Sequence, residues 1–263
     1  MNFDFTNKTF SVFLLKLLYE YKTFDKIENI LTANNQTDKL VFLRHDVDKN
    51  PANALKVAKL EHEMGICGTY YFRTHSAVFK PEIIRQIADL GHEIGYHYED
   101  FSNCHGNPEK AIVLFQKNLA KLREITPIST ICMDGCPLSK YNNLDLWKYY
   151  NYKDYGIVAE PYLDIDFNKV LYLSDTGRGW NLIKYSIRDK VKNPFNYHDK
   201  STAELIKDIV ASKLPSQIMI TIHPQRWHAT FFPWIRELIV QNLKNQIKRL
   251  IISYKQIATK NHL

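Results

Sequence analysis

Two aspartates placed two positions apart carry the strongest chemical signal in this chain of 263 residues. Asp46 and Asp48 follow an apolar run at residues 39–44, and side chains at i and i+2 of an extended strand point to the same side. Two neighbouring carboxylates repel each other unless they share a cation or a proton. A bound metal ion would remove that cost, and one carboxylate would then be available as a general base for a nearby water.

The same pair also has a plainer structural explanation. Pro51 begins a helix directly afterwards, and carboxylates placed before a helix commonly cap its first turn. Arg44 and His45 would then be ordinary partners of these carboxylates. Taken alone, the pair of aspartates favours this capping interpretation.

Two further polar clusters follow apolar runs of strand length. His97 opens the cluster at residues 97–100, and His223 opens the cluster at residues 223–226. In (β/α) barrels the chemistry lies at the carboxyl ends of the strands. We therefore expect both clusters to lie at the same mouth as the two aspartates.

The motifs RHDVD at residues 44–48 and GHEIGYH at residues 91–97 resemble the first two motifs of the polysaccharide deacetylase family, carbohydrate esterase family four. The similarity spans roughly residues 40–225. It implies a distorted (β/α) barrel of the glycoside hydrolase and deacetylase type, and a hydrolase that removes an N-acetyl group from an amino-sugar glycan. It also implies that Asp46 is the catalytic base, and that Asp48 and His97 bind the metal.

The resemblance extends to later positions in the chain. It places a general-acid histidine after a late strand, where His223 stands. The stretch at residues 174–180 resembles the Asp-and-Trp motif of the family, which orients the acid and lines the pocket. The residues that we expect to bind substrate are His45, Tyr98, Asp175, Arg178, Trp180 and Arg226.

One position departs from the family pattern. The second motif of the family carries a histidine pair at i and i+4, whereas the position four residues after His97 is Phe101. The candidates for the missing ligand are Glu99, Asp100, His105 and Asp134. We favour Asp134, because it ends another strand that faces the same mouth. Oxygen ligands make the site harder than a histidine-rich one, so we expect Zn²⁺ while Mn²⁺, Fe²⁺ and Co²⁺ remain open.

The elements that must position these residues alternate between strand-length apolar runs and segments of helical period, which predicts an α/β fold with a parallel sheet. We expect one domain over residues 1–263, with an N-terminal helical extension at about residues 1–36. An amphipathic helix is predicted over residues 8–32. The predicted strands cover residues 39–44, 68–73, 92–97, 129–133, 156–159, 170–174 and 217–222. Helices are predicted after Pro51 and Pro81 and over residues 108–124, 144–150, 203–211 and 233–257.

Composition limits the partners and the compartment. The net charge of +7 would suit a nucleic acid, an anionic membrane or a phosphate-bearing substrate, but no nucleic-acid-binding signature accompanies it. The N-terminus fits neither a secretory signal nor a membrane span, and the four cysteines form no CxxC pair. These features predict a cytoplasmic enzyme, for which nucleotide-linked or lipid-linked sugars are the natural carbohydrate substrates.

Two other functions remain open from sequence. The first keeps the fold but hydrolyses another amide, such as an N-formyl group, or works without a metal. The second is a catalytically silent protein that binds a glycan or a lipid headgroup. The apolar stripe and the nearby lysines of the last helix would allow contact with a membrane surface, although core packing explains such a stripe equally well.

Overall fold

The computed structural model describes residues 3–33, 39–185 and 191–260. Within them the strands are β1 (Thr23–Asp25), β2 (Leu40–Val47), β3 (Thr69–Phe72), β4 (Glu93–Tyr98), β5 (Ile131–Met133), β6 (Leu171–Ser174) and β7 (Gln217–Ile222). The helices are α1 (Asn7–Tyr21), α2 (Ile30–Ala33), α3 (Pro51–Glu63), α4 (Pro81–Asp89), α5 (Asp100–Asn103), α6 (Pro108–Arg123), α7 (Pro161–Asp164), α8 (Thr202–Val210) and α9 (Phe231–Lys260). Short 3₁₀ helices cover Ile27–Asn29, Asn143–Lys148, Tyr152–Tyr155, Ile183–Tyr185 and Pro224–Arg226.

All strand pairs in this part of the chain are parallel. The sheet runs in the order β5-β4-β3-β2-β7-β6, and β1 pairs with the first half of β2. Beyond β5, Thr130 bridges to Ala159 in parallel, which extends the curled sheet by one more segment. The fold is therefore an incomplete (β/α) barrel surrounded by helices, and the α/β prediction is confirmed.

Side-chain alternation divides the core into an inner and an outer cluster. The inner cluster lies on the concave face of the sheet and includes Leu40, Phe42, Tyr71, Cys132, Tyr172 and Met219. The outer cluster lies between the sheet and the helices and includes Val41, Leu43, Val47, Ile218 and Ile220. Because successive strand residues point to opposite faces, the residues that follow Phe42 on the inner side are Arg44, Asp46 and Asp48.

Local sequence explains where most helices begin and end. Proline is the first residue of four of them, at Pro51, Pro81, Pro108 and Pro161, where a missing N–H costs nothing. Ser201 and Glu204 form a capping box before α8. Gly65 and Gly91 follow the ends of α3 and α4 with φ of +71° and +89°, a conformation that favours glycine.

The prediction of one continuous helix over residues 8–32 is wrong. α1 ends at Tyr21, the next residue Lys22 has a left-handed φ of 58°, and β1 then pairs with β2 through Thr23 and Leu40. Ile27 and Ile30 follow and join the inner cluster. The segment leaves the helix because its apolar residues close the amino-terminal end of the barrel, a tertiary contact that helical periodicity cannot reveal.

Two further predictions of secondary structure differ from what the structure shows. Residues 156–159 contribute only the bridge at Ala159 rather than a strand, and the segment predicted as a helix at residues 144–150 is the 3₁₀ helix Asn143–Lys148. None of the described helices is long and apolar enough to cross a membrane.

Candidate active site

A cavity of about 910 Å³ opens at the carboxyl ends of the strands. Of the side chains that the sequence singled out, five at or next to strand ends line it, namely Asp46, Asp48, His97, Asp134 and His223. They follow or end β2, β4, β5 and β7, and each continues the inner face of its strand. The predicted common mouth of these strands is therefore present.

His97, Asp48 and Asp134 form a compact group of ligand atoms that all lie within 4.8 Å of one another. The Nε2 atom of His97 is 3.5 Å from Oδ1 of Asp48 and 3.8 Å from Oδ2 of Asp134. Its Nδ1 atom lies 2.9 Å from the carbonyl oxygen of Cys132. A carbonyl can only accept, so Nδ1 carries the proton and Nε2 is left to face the two carboxylates.

The charges in this group favour a cation. Burial lowers the pKa of His97, but the carboxylates of Asp46, Asp48 and Asp134 outweigh burial and raise it to about 9. Burial raises the pKa of Asp48, yet its hydrogen bond with His97 and the charge of His223 hold the value well below normal. A divalent ion would satisfy the same excess of negative charge, and one imidazole with two carboxylates is a common donor set for such an ion.

Asp134 is held in place by its own loop. One of its carboxylate oxygens accepts the backbone N–H of Cys136 at 2.7 Å, and its carbonyl accepts a hydrogen bond from the Asn143 side chain at 2.8 Å. The other carboxylate oxygen faces His97 and lies 3.5 Å from Nε of Arg73. Asp134 thus offers a third ligand atom beside those of Asp48 and His97, as the sequence prediction expected.

The other three candidates for that ligand have different surroundings. Asp100 accepts hydrogen bonds from Tyr96 at 2.7 Å and from an asparagine of α6, so its carboxylate is directed toward the helix layer. Glu99 forms an ion pair with Arg73. His105 follows α5 in a left-handed turn, with φ of 52°, and does not line the cavity.

Asp46 is fixed by a two-point ion pair with Arg44. Both residues are buried, and Nε and Nη2 of Arg44 donate to the two carboxylate oxygens at 2.9 and 2.7 Å. The guanidinium in turn lies 4.9 Å from the ring centre of Tyr162 and 5.9 Å from that of Tyr71. Oδ2 of Asp46 remains 3.9 Å from Nε2 of His97, so the carboxylate borders the proposed metal position.

The sequence suggested Arg44 only as an ordinary partner of the aspartates in the capping interpretation, and not as a residue of the reaction centre. The signal was available, because Arg44 and Asp46 stand at i and i+2 of one strand and must share its inner face. A buried arginine on the concave side of a barrel requires a carboxylate partner.

His223 is paired with Asp175 at the opposite side of the cavity. Nδ1 of His223 lies 2.6 Å from Oδ1 of Asp175, and Nε2 faces the cavity at 3.8 Å from Oδ2 of Asp48. Trp227 donates its indole N–H to Asp175 at 3.0 Å, and Arg226 donates to the Asp175 carbonyl at 2.7 Å. Burial raises the pKa of Asp175, but the charges of Arg226 and His223 outweigh it and hold the pKa below normal.

Trp180 does not have the pocket-lining position that the resemblance implied. It is fully buried, donates its indole N–H to Thr202 at 3.0 Å and packs against Phe13. The tryptophan that contacts Asp175 is Trp227, four residues after His223. The sequence could have pointed to Trp227, because this residue directly follows the polar cluster at residues 223–226.

The interpretation of His45 as a substrate-binding residue is also corrected. Its side chain is completely buried, lies 2.8 Å from Glu61 and stacks on Tyr70 with ring centres 4.0 Å apart. His45 alternates with Asp46 on β2 and therefore points outward, toward α3.

Two more predicted substrate residues lie away from the cavity, one lies behind its wall and one lines it. Tyr98 follows His97 on β4, points outward and accepts a hydrogen bond from Trp147 at 2.8 Å. Arg178 packs its guanidinium on the rings of Phe5 and Trp234, outside the cavity lining. Asp175 lies behind His223 as its partner, and Arg226 lines the cavity while holding Asp175.

The long helix α9 forms one wall of the cavity, which sequence analysis did not predict. Lining residues recur at helical spacing and include Arg236, Glu237, Val240, Gln241, Lys244 and Lys248. Asn245 fixes the helix by donating to the carbonyl of Gly177 at 2.9 Å, and the indole of Trp234 donates to the carbonyl of Asp4 at 2.6 Å. The apolar pattern of α9 identified a packed face but not the cavity beside it.

Comparison with protein-family models gave no match, and neither did comparison with curated protein sequences. Solved structures of carbohydrate esterase family 4 (CE4) do match. A CE4 esterase from Streptococcus mutans is 14% identical with a TM-score of 0.47, over 90% of this chain and 91% of that one. PdaA from Bacillus subtilis, a family 4 carbohydrate esterase, is 15% identical with a TM-score of 0.42, over 89% of this chain and 83% of that one.

A third match is BA3943 from Bacillus anthracis, described as a CE4 family pseudoenzyme. It is 10% identical with a TM-score of 0.45, over 81% of this chain. The aligned part spans 62% of that protein's length.

Proposed function

We propose that this protein is a metal-dependent hydrolase that removes an N-acetyl or other N-acyl group from an amino sugar. The observation that carries the proposal is the placement of two groups able to transfer protons on either side of one candidate metal site. Asp46 borders the site through His97 at 3.9 Å, and His223 borders it through Asp48 at 3.8 Å. Amide hydrolysis needs a proton acceptor and a proton donor in this arrangement.

Asp48, His97 and Asp134 would hold the ion. The chemistry that such an ion would supply is polarisation of the amide carbonyl and stabilisation of the negative charge on its oxygen. The donor set of two carboxylates and one imidazole suits Zn²⁺ and also accommodates Mn²⁺, Fe²⁺ or Co²⁺. The tautomer of His97, fixed by the Cys132 carbonyl, presents Nε2 without any rearrangement.

The remaining chemistry belongs to the side chains of this chain. Asp46, oriented by Arg44, accepts a proton from the water that attacks the carbonyl carbon, so that a C–O bond forms. His223, oriented by Asp175, donates the proton of Nε2 to the amide nitrogen as the C–N bond breaks. The products are a free amine on the sugar and a carboxylic acid, which is acetic acid for an N-acetyl substrate.

The test is release of the acid from a panel of N-acetyl and N-formyl amino sugars. Protein stripped with a chelator should be inactive, and activity should return when Zn²⁺, Mn²⁺, Fe²⁺ or Co²⁺ is added. Full activity of the stripped protein would exclude the metal from the reaction. Absence of acid release from every member of the panel, with a metal bound at Asp48, His97 and Asp134, would exclude the hydrolase and leave a sugar-binding protein.

A further inference from the structure

The α9 side of the cavity carries a group of cations that the proposed reaction does not use. Lys49 follows Asp48 directly and lines the cavity. Arg236, Lys244 and Lys248 line it from α9, one helical turn or two apart. The only acidic residue in α9 is Glu237, so this wall is strongly basic.

Several of these cations lack a carboxylate partner. Among the described residues, no carboxylate forms an ion pair with Lys49, Arg236 or Lys244. Lys244 is half-buried, and burial lowers the pKa of its ammonium group; repulsion by the neighbouring Lys49 lowers this pKa further, and the charge of Glu237 offsets the shift only in part. Like charges held together at a cavity wall are costly unless an anion lies between them.

Charge is therefore divided across the cavity. Asp46, Asp48 and Asp134 make one side negative, and α9 with Lys49 makes the other side positive. A substrate that placed its amide at the carboxylates would extend any second group toward α9. A group that lies beside the cations of α9 should be an anion, because opposite charges attract. Three to four cations suit the charge of a phosphate better than the single charge of a carboxylate.

We infer that Lys49, Arg236, Lys244 and Lys248 form a phosphate subsite, and that the amino-sugar substrate carries a phosphoester or diphosphate group. This inference rests on the proposed function for the identity of the sugar, but the subsite itself is independent of turnover. The phosphate would belong to a soluble nucleotide sugar or to a lipid phosphate, which present the same charged group to α9.

The first experiment measures binding of inorganic pyrophosphate to the full-length protein after its metal has been removed. Calorimetry should detect binding that weakens as salt concentration rises, because dissolved ions screen the attraction between pyrophosphate and these cations. Lys49→Gln combined with Lys244→Gln should weaken it by at least 10-fold, on the order of 1.4 kcal/mol. Arg249→Gln is the matched control, since Arg249 is an exposed cation of the same helix outside the cavity lining.

Wild-type affinity in the double variant would overturn the inference, as would the absence of pyrophosphate binding. Because no hydrolysis takes place in this assay, its outcome does not depend on deacylation. A protein that binds pyrophosphate through Lys49 and Lys244 but releases no acid from any sugar would keep the subsite and refute the hydrolase.

A second experiment distinguishes the two sources of the phosphate. One arm measures binding of uridine diphosphate N-acetylglucosamine in solution, and the other measures co-sedimentation with phosphatidylcholine vesicles that carry a polyprenyl phosphate. The exposed apolar residues Ile239, Leu243 and Leu250 on α9 would meet the lipid in the second arm. If the protein binds in one arm and the Lys49 and Lys244 double variant does not, the subsite is supported and the source of the phosphate is identified. If the protein binds in neither arm, the inference is overturned.

Discussion

Asp175 accepts two hydrogen bonds from His223, one from the ring Nδ1 at 2.6 Å and one from the backbone N–H at 3.0 Å. The two contacts fix both the rotation of the imidazole and its tautomer, so that the opposite nitrogen faces the cavity. Asp175 is completely buried and does not reach the substrate space. In the proposed reaction it would act only by positioning His223.

Asp175→Asn should therefore lower kcat by about 10²- to 10⁴-fold while changing KM little, because the imidazole loses its oriented tautomer. Steady-state kinetics on an N-acyl amino sugar, together with metal analysis, measures both effects. Asp199→Asn is the matched control, because Asp199 forms an exposed pair with His198 at 3.0 Å. Equal kcat in Asp175→Asn and wild type would show that His223 needs no such partner.

Asp134→Asn should weaken metal binding by at least the roughly 10- to 100-fold that is typical for loss of a ligand's supporting contact. The reason is that Asp134 supplies one of the three ligand atoms within 4.8 Å. Competition with a chromogenic chelator measures the affinity. Asp100→Asn serves as the control, since Asp100 is bound by Tyr96 in the helix layer and should leave metal affinity unchanged. A loss in Asp100→Asn but not in Asp134→Asn would reverse our choice of ligand.

Asp46→Asn should retain the metal but lose about 10²- to 10⁴-fold in kcat, because the amide cannot accept the proton of the attacking water.

Arg44→Lys should lower kcat less than Asp46→Asn does, by about 10- to 100-fold, since lysine keeps the charge but not the two parallel hydrogen bonds that orient Asp46. Thermal unfolding checks that both variants fold. A fully active Asp46→Asn would mean that another group accepts the proton.

The pH dependence of stability should reveal Glu93, which lies at the other end of the barrel. Burial raises its pKa from 4.5 to about 7, although hydrogen bonds from Thr130, Thr69 and the Glu28 backbone oppose the shift. Between these two values the folded chain holds one more proton than the unfolded chain. The free energy of unfolding should therefore fall as pH rises through this window, by roughly 3 kcal/mol from this group.

Glu93→Gln removes that dependence, because the side chain is neutral in both states. Urea unfolding at several pH values between 4.5 and 7 should give a flatter profile for Glu93→Gln than for wild type. The other groups with raised pKa values, including Glu160 and Asp100, remain in both proteins and cancel in the comparison. Parallel profiles would show that Glu93 is ionised in the folded chain throughout this range.

Strand periodicity was sufficient to place Asp46, Asp48, His97 and His223 at one mouth, because each follows an apolar run and the strands are parallel. The same periodicity places His45 on the outer face, and applying it consistently would have removed His45 from the substrate-binding residues. Local pattern was therefore informative wherever a residue lies in or directly after a strand.

The choice between Trp180 and Trp227 could not be made in this way. Which tryptophan reaches Asp175 depends on the pairing of β6 with β7, where Ser174 lies opposite Thr221. That register brings Asp175 beside His223, and the 3₁₀ helix Pro224–Arg226 then turns Trp227 back toward the carboxylate. Contacts between distant segments of this kind do not appear in any single stretch of sequence.

The location of α9 separates the wall of the cavity that would contact the rest of the substrate from the strand ends that carry the proposed catalytic residues. The proposed reaction centre is built on strand ends within the sheet, whereas the facing wall is one helix that makes few contacts with the strands. Substitutions along that wall can change which molecules are accepted while the bond-breaking apparatus stays intact. Such a separation makes substrate preference the more evolvable property of the chain and gives protein engineers a surface to diversify first.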